Sequence, residues 1–83
     1  MPLRPRQCLT RWLVAHGFRH EFRRSYRKRV SDSRHVWTHL TTSDTGYVES
    51  TRYHDPLWFI GLEELEVAII YETLREDWRE DLR

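Results

Sequence analysis

The stretch from Leu62 to Asp81 contains neither glycine nor proline, and its Val67, Ile70, Leu74 and Trp78, with Leu82 just beyond, form one stripe at helical spacing. Leu62, Leu65 and Ile69 widen the stripe near its start, where Glu63, Glu64 and Glu66 complement the positive end of the helix dipole. A long amphipathic helix gains most of its stability from what its apolar face packs against. In a chain of 83 residues that surface has to come from a single domain. The remaining residues are therefore expected to build a sheet that this helix covers.

The middle of the chain supplies strand-type segments. Arg34 to Thr42 (RHVWTHLTT) is rich in β-branched and aromatic residues, and Tyr47 to Tyr53 (YVESTRY) follows the same habit. Ser31-Asp32-Ser33 reads as a turn before the first, and Ser43-Asp44-Thr45-Gly46 as a hairpin between the two, with Gly46 in a left-handed position. Asp55-Pro56 is a break with the pattern of a helix cap, and Leu57 to Gly61 is an apolar connection of about one turn. Before all of these, Gln7 to His16 carries Cys8, Leu9, Trp12, Leu13 and Ala15 at helical spacing. Gly17 stands where such a helix stops, with Phe18 folding back onto Leu13. Residues 1–5, with two prolines, read as a flexible tail, and residues 6–83 as one domain.

Residues 19–29, RHEFRRSYRKR, carry six basic side chains against one acidic residue, Glu21. Phe18, Phe22, Tyr26 and Val30 recur every four positions, which suits a helix or a strand. A helix would stack Arg19, Arg23 and Arg27 as like charges at its positive end. A strand is preferred, with the aromatic residues facing the core and Arg19, Arg23, Arg27 and Arg29 facing outward. The expected fold is α+β: a single α-β-β-β-α domain with a three-stranded antiparallel sheet and both helices on one face.

Alternation then divides the sheet residues. Val36, Leu40 and Val48 face the helices, while His35, Trp37, His39, Tyr47, Glu49 and Thr51 face away. The candidate partner-binding residues are Arg19, Arg23, Arg27, Arg29, His35, Trp37, His39 and Tyr47. Arginine and tryptophan are favoured anchors in protein interfaces. The same mixture also serves single-stranded nucleic acid by stacking and phosphate contact. The plainer reading puts Trp37 in the core and leaves the arginines to solvate one face.

A net charge of +1 hides an asymmetry: residues 1–54 sum to +7 and residues 55–83 to −6. Such a split suits internal neutralisation, a charged partner, or head-to-tail association of basic sheet with acidic helix. No apolar run approaches the ~20 residues of a membrane span. MPLRPRQ lacks the apolar stretch of a signal peptide, and Cys8 is the only cysteine, so a cytoplasmic location is expected. His35 and His39 have the i, i+4 spacing of a metal pair, but on a strand it holds them about 13 Å apart. No cofactor, metal or catalytic residue is expected.

Two family resemblances bear on function. The element order is similar to that of the double-stranded-RNA-binding domain, which would imply RNA binding. That family has a basic cluster opening its last helix, where this chain has Glu63, Glu64 and Glu66. Leu13 to Phe18 (LVAHGF) and Ser33 to Trp37 (SRHVW) resemble segments of HicA-type toxins, which would imply RNA cleavage with His35 as the catalytic residue. The glycine before Ser-His is missing here and Arg34 intrudes. The first expectation is a small non-catalytic protein, monomer or homodimer, that docks on and occludes a host protein or protein–nucleic acid complex. Inhibitors of phage or mobile-element origin, anti-CRISPR proteins included, are of this type. The alternatives are a module binding RNA or DNA directly and an RNase.

Overall fold

The computed structural model describes residues 4–50 and 55–81, with side chains as far as Leu74. The element order is α1 (Pro5–Ala15), β1 (Arg19–Phe22), β2 (Ser25–Ser31), β3 (Arg34–Leu40), β4 (Thr45–Ser50), β5 (Leu57–Ile60) and α2 (Gly61–Asp81). The strands form one antiparallel meander in the order β1-β2-β3-β4-β5. The domain is α+β as expected, but its sheet has five strands rather than three.

The two extra strands have separate origins. The basic run is not one strand but a hairpin, turning at Arg23 and Arg24. Arg23 takes a φ of 48°, the left-handed conformation that the tight turn needs, in a residue type that gives no turn signal. The fifth strand is Leu57–Ile60, read above as a connection. Its apolar residues pair with Thr45 to Val48, completing the far side of the sheet. Asp55 and Pro56 precede this strand and do not cap a helix. The proposed outward Thr51 and the end of the expected Tyr47–Tyr53 strand fall outside the described residues, as do residues 1–3 of the tail.

Helix α1 begins at Pro5, whose missing N–H is no loss in a first turn. The Gln7 side chain accepts from the Arg4 N–H at 3.0 Å. The helix stops at Gly17, with φ at 90°, and the Phe18 N–H donates to the Leu13 carbonyl at 2.9 Å. Phe18 is thereby buried beside Leu9 and Leu13. Across from them, one face of the sheet contributes Val36, Leu40, Val48 and Phe59, and α2 contributes Leu65, Ala68 and Ile69. Both helices thus cover the same face.

Helix α2 buries a different stripe from the one its sequence favours. Leu65, Ala68, Ile69 and Glu72 face inward. Val67, Ile70 and Leu74, from the more regular apolar stripe, are 58–66% exposed, as is Tyr71 at 54%. The turn at Gly61 sets this rotation: with φ at 83°, it reverses the chain from β5 into α2. The Glu64 carboxylate then accepts the Ile60 N–H at 3.0 Å, fixing the first turn.

Gly46 lies within β4, opposite Leu40 and Phe59, and not in the left-handed turn position. A Cβ there would run into the His39 carbonyl oxygen and the Phe59 ring. Gly46→Ala is therefore expected to destabilise the fold by about 1–3 kcal/mol, read from urea denaturation. An unchanged midpoint would contradict this β3–β4–β5 register.

Candidate functional site

The face of the sheet turned away from the helices is set by the alternation of β3. Val36, Thr38 and Leu40 are buried, while His35, Trp37 and His39 between them are partly exposed. Direct pairing passes that outward parity along the sheet. Arg27 lies opposite Trp37, Arg29 opposite His35, Tyr47 opposite His39 and Trp58 opposite Tyr47. A bulge in β1 between His20 and Phe22 turns Phe22 outward too, opposite Ser25, where sequence parity had placed it in the core.

The result is a row of rings from β1 to β5. Phe22 and Trp37 have ring centroids 6.2 Å apart. Trp37 and His39 are parallel within 2° at 5.7 Å. His39 to Tyr47 and Tyr47 to Trp58 are both 4.8 Å. All four spacings lie in the range where aromatic pairs attract beyond their burial. The Arg27 guanidinium sits 5.6 Å from the Trp37 ring centre, so β2 joins the row through a cation–π contact.

His39 is the fixed point of the row. Its Nε2 lies 2.8 Å from Glu49 Oε1, and its Nδ1 lies 2.8 Å from Ser25 Oγ. An ionised carboxylate only accepts, so in the neutral ring Nε2–H donates to Glu49 and Nδ1 accepts the Ser25 hydroxyl. Serine, histidine and carboxylate in sequence make up the relay of nucleophilic hydrolases. Here Ser25 is only 8% exposed, and with Glu49 it holds the imidazole between Trp37 and Tyr47.

The expected arginine row is divided by this geometry. Arg23 leaves the face at the β1–β2 turn. Arg27 forms an ion pair with Glu21 at 2.9 Å, and Arg29 one with Asp32 at 2.9 Å. Arg19 lies opposite Arg27 on exposed β1. Trp37, His39 and Tyr47 come together in the centre, and His35 stands further along β3 opposite Arg29. Phe22, Ser25, Glu49 and Trp58 were not among the sequence candidates. Trp58 could have been found from its parity with Tyr47 once Leu57–Ile60 was taken as a strand, and Ser25 and Glu49 from their register with His39.

Among the described residues, no group of three or more His, Cys, Asp or Glu side chains could hold a metal ion. Among the same residues, no helix is long and apolar enough to cross a membrane. No family model, curated protein or solved structure matches the chain.

Ser25→Ala and Glu49→Ala should each cost about 1 kcal/mol in urea denaturation, the net worth of one hydrogen bond. In the double variant the two costs should fall short of additive, because both act through the His39 ring. Full additivity would show that no shared relay exists.

Proposed function

We propose that this protein docks on and occludes a larger protein partner through the open face of its sheet, as small inhibitors of phage or mobile-element origin do. The observation that carries the reading is the unbroken row Phe22–Trp37–His39–Tyr47–Trp58, with Phe22 and Trp58 57% and 62% exposed at its two ends. Interfaces cluster aromatic and arginine anchors near their centre, within a polar rim. The row follows that plan, with Arg19, Arg27 and Arg29 to one side.

The electrostatics favour protein over nucleic acid as the partner. Glu49 stands among the central rings, and Glu21 and Asp32 already hold Arg27 and Arg29. Carboxylates in these positions repel a phosphate backbone and offset the cations that would grip it. The rings also turn toward one another, so their faces are partly occupied by neighbours rather than free to stack with bases.

The test is affinity capture with the wild type and with Trp37→Ala and Tyr47→Ala, each shown by circular dichroism to be folded. A stoichiometric protein partner held by the wild type should bind each variant roughly 30-fold more weakly, the loss of about 2 kcal/mol typical of an interface anchor. A different result would overturn the proposal. It is a low-salt gel shift of labelled single-stranded RNA or DNA that Arg27→Glu abolishes, with no protein retained.

A further inference from the structure

The β1–β2 turn and the loop after β3 bring several arginines to one end of the sheet. Arg24 Nη1 donates to the Thr41 carbonyl oxygen at 2.6 Å. Arg6 Nη2 reaches the same oxygen at 3.4 Å and the Thr42 carbonyl oxygen at 2.7 Å. Two guanidinium groups are thus held against one carbonyl, close enough to repel each other. Arg23 adds a third cation beside Arg24, in a left-handed conformation that glycine, asparagine or aspartate adopts at less cost. Asp44, the acidic residue of the loop, accepts from the Thr45 hydroxyl at 3.3 Å. Among the described residues, no carboxylate pairs with Arg6, Arg23 or Arg24.

An open hollow of about 640 Å³ lies beside this cluster. Arg23 and Arg24 line it together with Phe22, Ser25, His39 and Tyr47, so it is continuous with the ring row. We propose that the hollow receives an acidic side chain of the docked protein, whose carboxylate is bound by Arg23 and Arg24 while the rings beside it are covered. This inference rests on the docking reading above and adds to it the chemistry that the partner presents at this point.

Charge and hydrogen-bonding capacity both select a carboxylate. A guanidinium carries several N–H donors in a planar fork, and Arg24 spends one of its own on Thr41. The remaining donors suit a carboxylate, which arginine binds in a bidentate manner. An anion there also offsets the repulsion between Arg24 and Arg6, which the Thr41 carbonyl alone only partly screens. A run of phosphates fits less well. Next along β2, Arg27 and Arg29 are already paired with Glu21 and Asp32. A nucleic-acid backbone leaving the hollow in that direction meets no unpaired arginine to follow.

Two measurements test the pocket and its occupant separately. The first titrates the isotope-labelled full chain with N-acetylglutamate methylamide and follows its amide and guanidinium signals. Saturable shifts of the Arg24 Nε–H and of the Arg23 to Ser25 amides are expected, with none from the neutral glutamine counterpart. Shifts spread evenly over all the arginine side chains overturn the proposal. So does inorganic phosphate that saturates these signals where the glutamate probe does not, which would assign the hollow to a free anion. The second is affinity capture with Arg23→Asn/Arg24→Gln, in which asparagine suits the left-handed turn. The captured protein should bind this variant roughly 10-fold more weakly than the wild type, the loss of a charge-assisted hydrogen bond. A partner that the variant holds as tightly as the wild type, and that Trp37→Ala loses, overturns the carboxylate pocket while the docking reading stands.

Discussion

The register of β3 is the constraint on which the rest of the molecule depends. It is the central strand, and its alternation sends Val36, Thr38 and Leu40 to the helices and His35, Trp37 and His39 to the open face. A slip of one residue would exchange those sets, burying a tryptophan and two imidazoles and exposing the core. The neighbouring strands reinforce the choice. Gly46 leaves room for Phe59 on the inner side, while Ser25, Tyr47 and Glu49 meet His39 on the outer side. Core and ring row are therefore two faces of one pairing decision.

Much of this could be read from the residues alone, where local chemistry and tertiary contact agree. Helix α1 and its glycine stop, the two central strands and the outward parity of Trp37, His39 and Tyr47 follow from periodicity and turn chemistry. The basic run was harder. A turn at Arg23-Arg24 has no glycine, asparagine or proline to announce it, and parity counted through it places Phe22 on the wrong face. Leu57–Ile60 is too short for its period to distinguish a strand from a connection, so the fifth strand appears only through its pairing with β4.

Helix α2 shows a different failure of local reasoning. Its apolar residues outnumber what one face can hold, and regularity of spacing points to Val67, Ile70 and Leu74. The turn at Gly61 instead rotates Leu65, Ala68 and Ile69 inward. The second apolar stripe, Val67, Ile70 and Leu74, stays on the outside of the helix. Within the basic half of the chain, Glu21 and Asp32 hold two of its arginines.

The most direct test of the account is the set of ring-to-ring nuclear Overhauser contacts in isotope-labelled protein, which report the β3–β4–β5 register and the open face together. Contacts of Tyr47 with both His39 and Trp58, and of Trp37 with Phe22, are the result expected. Contacts of Tyr47 or Trp37 with the methyl groups of Leu65 or Ile69 would place those rings under the helices and contradict it.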